Sequence, residues 1–306
     1  MLSNGTHSYI KDNRNENIKI YINGDFYNRK DAKISVFDSG FLLGDGVWEG
    51  VRLLNGNLVF IEEHLARLYY GANKLAIDIG KTQKELTTLI YSTLNQNNMK
   101  TDVHIRLIIS RGLKITPYQH PNANIGGSSI VIIPEYKKPN VNINNDGIKL
   151  VTVNVQRGTQ NSQDPRLNTL SKLNCITACI EADMAGADEG IMLDINGNVA
   201  TCNSTNFFII KNGEVWTSTG EYCLPGITRK IVISICKKNN IPIFEKNFVI
   251  EDVYSSDEVF VTGTFAGIIP VIMVDKLEIS NGKLGKLTKE IQQLYKRKLN
   301  KLYNIN

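Results

Sequence analysis

No stretch of this sequence is apolar for long enough to cross a membrane, and its start, MLSNGTHSYIKDNRNEN, lacks the apolar core of a signal peptide. Neither a membrane span nor an export signal is expected. Cysteine is sparse: there are five, with no Cys-x-x-Cys, and Cys175 and Cys179, one helical turn apart, have no nearby histidine to complete a zinc site. No metal is expected, and the thiols read as the reduced, partly buried groups of a cytoplasmic protein. An excess of one charge is also missing. The formal net charge is +5 over 306 residues, and its densest part, Lys283 to Lys301, carries leucines at helical spacing, as one solvated face of an amphipathic helix would. No nucleic-acid motif accompanies it, and no membrane or nucleic-acid partner is expected.

What is present suits a soluble globule. Hydrophobic residues make up 42% of the chain and charged residues 21%, enough for a real core, and the length allows two modest domains or one large one. Short alternating runs come first. Ile18 to Ile22 precedes the turn dipeptide Asn23-Gly24, Ile34 to Phe37 reads as a strand, and Asn55-Gly56 separates Val51 to Leu54 from Leu58 to Ile61. Ile61, Leu65, Leu68, Ala72 and Leu75 keep a helical period, and Thr82-x-x-Glu85 is a capping box ahead of Leu86, Leu89, Ile90 and Leu94. Val103 to Ser110 and Ile130 to Pro134 read as strands.

Residues 136–147 (YKKPNVNINNDG) are polar and without period, and are expected to link two domains. The expected division is a flexible polar tail at 1–17, a small N-terminal α+β domain at 18–135, the linker, and a larger domain at 148–306. In the second domain Lys149 to Gln156 reads as a strand. Lys172 to Ala185 reads as a helix with Leu173, Ile176, Ile180 and Met184 on one face, packing inward. Antiparallel hairpins with flanking helices make both domains α+β.

Residues 199 to 230, VATCNSTNFFIIKNGEVWTSTGEYCLPGITRK, carry the most information. Two strand-like runs, Asn206 to Ile210 and Val215 to Thr217, flank Asn212-Gly213. Leu224-Pro225-Gly226-Ile227-Thr228-Arg229 then runs into the helical period Ile227, Ile231, Ile235. A small-residue turn that opens a helix leaves backbone N–H groups aimed at one point, which suits a phosphate. An ordinary helix cap is the plain alternative for such a turn taken alone. Thr262-Gly263-Thr264-Phe265-Ala266 ends a strand in a second small, hydroxyl-bearing turn able to donate to the same anion.

The order and spacing of Asn-Phe-Phe, hairpin, Thr-Ser and Leu-Pro-Gly-Ile-Thr-Arg resemble the signature of the class IV, fold-type IV pyridoxal-phosphate enzymes. These include branched-chain and D-amino-acid aminotransferases and aminodeoxychorismate lyase. The resemblance runs from about Ile18 to Tyr295. It implies a two-domain α+β fold with antiparallel-rich sheets and pyridoxal 5′-phosphate as cofactor, bound by the larger domain. By resemblance the phosphate contacts are Arg67 (in His64-x-x-Arg67-Leu68), Ile227, Thr228 and Thr264, with Phe265 beside them. Gly44 to Arg52 resembles the stretch that places an aromatic residue, here Trp48, in the substrate pocket. Val103 to Leu107 resembles the strand that supplies His104 and Arg106 to substrate recognition, and Ala266 is a further substrate contact. A homodimer is implied as well.

Two positions depart from the family pattern. The family lysine that bonds to the cofactor aligns with Asn168, in Asn168-Thr169-Leu170-Ser171-Lys172, and Lys172 follows four residues later. Four residues are one helical turn, about 5.4 Å, within a lysine's reach, or a local length change puts Lys172 directly in place, so Lys172 is expected to act as the catalytic amine; the plain alternative is a solvent lysine at a helix start and a dead site. Thr201 stands where the family has the glutamate that keeps the pyridine nitrogen protonated, and has no charge to offer it. The expected activity is amino transfer from a branched-chain or other apolar amino acid, with 2-oxoglutarate as acceptor. Aminodeoxychorismate-lyase or D-amino-acid aminotransferase activity, or a cofactor-binding protein with lost or altered catalysis, are the alternatives.

Overall fold

Paired asparagine–glycine turns shape the first part of the chain. Asn23 and Gly24 (φ 51° and 117°), like Asn55 and Gly56 (φ 46° and 78°), take the positive φ that a type I′ turn requires. The first turn closes β1 (Lys19–Ile22) onto β2 (Asp25–Asn28). After α1 (Ser39–Leu43), the second closes β3 (Gly46–Leu54) onto β4 (Asn57–Leu58). Next come α2 (Ile61–Lys74), α3 (Gln83–Gln96), β5 (Val103–Ser110), the short β6 (Leu113–Lys114) and β7 (Asn124–Ile125), and β8 (Ser129–Tyr136). The capping box of α3 forms as expected: Thr82 Oγ1 accepts from the Glu85 N–H, and the Glu85 carboxylate accepts from the Thr82 N–H.

These strands build a six-stranded antiparallel sheet in the order β2-β1-β8-β5-β3-β4. Alternation decides its faces. Val47, Val51, Ile105 and Leu107 form one core with Leu65, Leu68, Leu86 and Ile90 of the two helices. Trp48, Arg52, His104 and Arg106 therefore stand on the opposite face, with Arg52 across from His104 and Gly50 across from Arg106.

The computed structural model describes residues 5–7, 9–140 and 142–304. Beyond residue 142 come α4 (Ile143–Asp146), β9 (Ile148–Thr152), α5 (Gln160–Gln163), α6 (Leu173–Met184), β10 (Glu189–Leu193) and β11 (Val199–Cys202). The hairpin of β12 (Asn206–Lys211) and β13 (Glu214–Thr217) leads to α7 (Ile227–Lys238) and β14 (Ile243–Glu245). Then follow α8 (Ile250–Tyr254), β15 (Glu258–Gly263), β16 (Gly267–Val274), β17 (Leu277–Glu278) and α9 (Lys286–Tyr303). A nine-stranded sheet results, ordered β11-β10-β9-β16-β15-β12-β13-β14 with β17 on β16. Both of its faces are buried. Phe207 and Ile209 enter one core with Val259 and Val261, while Phe208 and Ile210 enter another with Phe260, Val232 of α7 and Ile291 of α9.

The chain forms two compact units: Ile10–Lys138 with Leu167–Lys172, and Met1–Tyr9 with Pro139–Arg166 and Leu173–Asn306. The sequence suggests no such exchange of short segments. Where it is described, the expected tail at 1–17 is not loose. Thr6 is buried and donates to Glu189, His7 stacks on Phe265 with ring centroids 6.1 Å apart, and a 3₁₀ turn at Asn13–Asn17 buries Asn15. Positions 1–4 and Ser8 of that tail, and Val141 of the expected linker, lie outside the described residues. The linker itself starts inside β8 and ends after α4, so much of it is regular structure. Ile34 to Phe37 is not a strand but an exposed approach to α1, whose N-cap Asp38 accepts from the Gly40 N–H.

α6 needs a larger correction. It starts at Leu173, so Lys172 lies outside it, and its buried residues are Ala178 and Ala182. Leu173, Ile176, Ile180 and Met184 do share a face, but they are 52–84% exposed. Helical periodicity identifies a stripe without saying what covers it.

Candidate active site

In the larger unit the phosphate motif owes its shape to Asn206. The Asn206 side-chain amide donates to the Leu224 carbonyl at 3.0 Å, which fixes the turn before α7. A Cβ on Gly226 would lie 1.9 Å from Asn206 Oδ1, so only glycine fits there. Arg229 reaches back to the Ser218 carbonyl at 2.6 Å and to Glu245 at 3.0 Å, pinning the first turn of α7 to the sheet. Gly226 is the N-cap and offers no side chain, so the first N–H groups of this 12-residue helix lack both helical partners and a side-chain cap. Thr228 is buried in that turn.

The second turn meets the first through the same asparagine. Asn206 pairs with Thr262 in the β12–β15 register, and Thr264, Phe265 and Ala266 form the turn between β15 and β16. The Thr262 hydroxyl is buried and has no partner. Thr201 sits on β11 with its hydroxyl donating to the Thr205 carbonyl at 2.7 Å, one residue before Asn206. The Thr205 hydroxyl in turn donates to Glu189 at 2.8 Å. Burial raises the pKa of Glu189, and bonds from Thr6, Ser204 and Thr205 oppose that rise without cancelling it. Thr201, the start of α7 and the Thr262–Ala266 segment thus converge around Thr205 and Asn206.

In the smaller unit Trp48 is the centre. The Arg106 guanidinium carbon lies 3.6 Å from the Trp48 ring centroid, and Lys172 Nζ lies 5.6 Å from it. Both cations attract the negative face of the indole. Burial lowers the pKa of Arg106, against the opposing charges of Glu135 and Glu49. His104 stands next to Gly50, where a Cβ would come within 3.0 Å of His104 Nε2. An apolar cavity of about 460 Å³ lies in the same unit, lined among others by Ile20, Ile22, Phe41, Ile108, Val131 and Ile133.

Asn168 holds Trp48 directly. The Trp48 N–H donates to the Asn168 carbonyl at 3.0 Å, and the Asn168 side-chain amide donates to the Trp48 carbonyl at 2.7 Å. Because that partner is a carbonyl, the amide orientation is settled, and Asn168 Oδ1 is left buried with no partner. Thr169 bridges to Val47, and Leu170 donates to the Gly46 carbonyl at 2.9 Å. The segment from Asn168 to Lys172 is therefore not helical: Thr169 makes an isolated bridge, Leu170 is a bend, and α6 starts only at Leu173. The one-turn spacing expected for Lys172 does not apply.

Arg67, expected to contact a phosphate, is also held. Arg67 Nε and Nη2 donate to Glu49 Oε1 and Oε2, both at 2.8 Å, and His64 Nδ1 lies 2.6 Å from Glu49 Oε2. Glu49 is on the core-facing side of β3 and wholly buried, as is His64, while the Arg67 side chain is 12% exposed. Burial alone would raise the pKa of Glu49, but Arg67 and His64 outweigh it and keep the carboxyl below the usual range. The sequence reading missed Glu49, Asn206 and Glu189. Only His64-x-x-Arg67, two polar residues three apart on a buried helix face, hinted at the first.

The class IV amino-transferase family model matches residues 46–274, and the chain belongs to that family. It is 38% identical over 283 residues to a Methanocaldococcus jannaschii protein named as a branched-chain-amino-acid aminotransferase, covering 91% of this chain and 96% of that one. It is 30% identical over 290 residues to a D-alanine aminotransferase of Listeria monocytogenes, covering 91% and 95%. The fold matches the branched-chain amino acid aminotransferase of Escherichia coli with a TM-score of 0.86 at 27% identity, over 92% of this chain and 94% of that one. The α+β, fold-type IV architecture follows, and with the family comes its cofactor, pyridoxal 5′-phosphate. Among the described residues no helix is long and apolar enough to cross a membrane.

The phosphate end of that cofactor fits this chain: an uncapped helix start, a glycine that only Asn206 explains, and an orphaned Thr262 hydroxyl suit an anion. At the reactive end the fit is looser. The position of the family lysine holds a buried amide, and the hydroxyl of Thr201 is already donating elsewhere.

Proposed function

We propose that this chain moves the amino group of a branched-chain or other apolar amino acid to a 2-oxo acid, with 2-oxoglutarate as the usual acceptor. The names of the relatives support the reaction and substrate class. The observation that carries the reading is Trp48 under the Arg106 guanidinium, an aromatic wall with a carboxylate-binding cation. Pyridoxal 5′-phosphate, when bound, supplies the electron-withdrawing ring and carbonyl carbon on which the amino group is carried. In the larger unit Ile227, Thr228 and Thr264 would hold its phosphate, with Phe265 against it and Thr201 at the ring, and Arg67 is the phosphate contact that the resemblance implies in the smaller unit. Trp48, His104 and Arg106 of the smaller unit and Ala266 of the larger are the substrate contacts it implies, and Lys172 would supply the reactive amine and move the substrate proton.

A second reading is favoured by Asn168: the cofactor is held without a covalent bond, and turnover is slow or lost. Borohydride reduction of the reconstituted protein, followed by peptide mass spectrometry, separates the two. Cofactor mass on the Lys172 peptide supports the first, and no modified lysine supports the second. The D-alanine aminotransferase relative keeps D-amino acids in the substrate panel. A transamination assay with 2-oxoglutarate as acceptor and L-leucine or D-alanine as donor decides the enantiomer.

We infer a homodimer as well, supported by the exposed apolar stripe Leu173, Ile176, Ile180 and Met184, a face that a partner chain could cover. A monodisperse monomer in light scattering at micromolar concentration would contradict it. A cytoplasmic location is supported by five cysteines that are all unpaired.

A further inference from the structure

We propose that Glu49, steadied by His64, is a positioning residue for Arg67, and that the protein's affinity for a phosphate-bearing ligand passes through this buried carboxylate. The inference rests on the reading that Arg67 binds the cofactor phosphate. Three features carry it. The guanidinium is gripped side-on, Nε to one carboxylate oxygen and Nη2 to the other at 2.8 Å each, a planar two-point contact that fixes its direction as well as its place. The carboxylate cannot turn, because His64 Nδ1 holds Oε2 at 2.6 Å. An ionised carboxylate only accepts, so Nδ1 carries the proton of that bond. His64 Nε2 is buried without a partner, so the imidazole spends its hydrogen bonding on Glu49 alone.

Stability alone does not call for this arrangement. Glu49 lies between Val47 and Val51 on a strand face otherwise apolar, under helix α2. Charges placed in such a core are often replaceable by well-packed apolar residues at no loss. What apolar residues could not do is aim a cation. Arg67 is the member of the trio that retains exposure, and α2 puts His64 and Arg67 on one face, three residues apart. Glu49 thus ties the direction of a partly exposed cation to the rigid centre of β3.

The test compares the affinity of the full-length apo chain for pyridoxal 5′-phosphate with that for pyridoxal, which lacks the phosphate. The ratio isolates the phosphate contribution. Arg67→Ala should cut the ratio at least tenfold with pyridoxal affinity unchanged. Glu49→Gln should cut it by a comparable factor although Arg67 remains, and the double variant should be no worse than Arg67→Ala, since both act through one contact. His64→Gln, which keeps the carboxylate but loosens it, should give a smaller loss in the same ratio, and serves if Glu49→Gln fails to fold by circular dichroism. A Glu49→Gln or, in that event, His64→Gln ratio equal to wild type overturns the inference while leaving Arg67's role intact. Additive losses in the double variant, or equal weakening of both ligands, also overturn it, because they mark a purely structural role. An unchanged ratio in Arg67→Ala sinks the phosphate reading itself, and the inference with it.

Discussion

Asn168 and Trp48 grip each other twice, backbone N–H to carbonyl at 3.0 Å in one direction and side-chain amide to carbonyl at 2.7 Å in the other. The residue at the position of the family's lysine is thereby buried against Trp48, not left pointing into solvent. Restoring a lysine there puts an amine where the resemblance expects one. We expect Asn168→Lys to bind pyridoxal 5′-phosphate covalently, with cofactor mass on residue 168 after reduction, and to raise transamination at least tenfold. It loses one bond to Trp48, costing about 1 kcal/mol of stability. Mass on Lys172 with no gain in rate would show that position 168 is not the reactive one.

The complementary variant is Lys172→Ala. As the proposed amine, Lys172 is required for covalent cofactor attachment and for any transamination, so both should vanish. Its place near the Trp48 ring is also exposed to loss, and Trp48 fluorescence should shift as the nearby charge goes. Full activity in Lys172→Ala would remove Lys172 from the mechanism.

The turn that opens α7 was legible because it is local: Gly226, Thr228 and Arg229 lie within one turn, and Asn206 is twenty residues upstream across a hairpin whose Asn212-Gly213 turn is readable. The hairpins, α2, α3 and their core faces were legible for the same reason, through period and turn chemistry. The spacing from Asn168 to Lys172 was read as one helical turn, whereas bonds to β3 keep residues 168 to 170 out of the helix that starts at Leu173. That pairing joins positions some 120 apart in sequence and leaves no periodic trace. Glu49 was invisible for a similar reason: its meaning depends on α2 lying over β3. The stripe on α6 was seen, but a period cannot tell a core from an exposed face.

Gly226→Ala tests the carved turn. The added Cβ would collide with Asn206 Oδ1, so either Asn206 releases the Leu224 carbonyl or the start of α7 moves. Either response misaligns the N–H groups at that helix start. Pyridoxal 5′-phosphate affinity should fall at least tenfold, measured by equilibrium dialysis. An affinity within twofold of wild type would show that this turn is not a phosphate contact.

Glu49 predicts an acid limit. Its folded pKa is depressed, so the pair's contribution is present above the unfolded carboxyl value near 4.5 and is lost as pH falls through the folded value. Breaking a buried pair by removing one partner costs about 3–5 kcal/mol, and the glutamine isostere should cost less. Denaturant melts should therefore separate Glu49→Gln from wild type at pH 7, and the gap should start to shrink below the unfolded value near 4.5 and close only as pH falls past the depressed folded value. A gap independent of pH would mean that the charge of Glu49 is not what stabilises the fold.

Glu189 should behave in the opposite sense. Its folded pKa is raised by burial, so the folded state pays for the ionised form above that value, and the cost disappears below the unfolded value near 4.5. Glutamine keeps the shape and an acceptor for the Thr205 hydroxyl while removing the charge. We expect Glu189→Gln to melt higher than wild type at pH 8, by about 2–4 °C for each kcal/mol relieved, and the difference to close as pH falls toward 4.5. The readout is the change in melting temperature with pH, wild type against variant. If the variant is less stable at pH 8, the three hydroxyl donors do more for the carboxylate than burial takes away, and the direction assigned to this group is wrong.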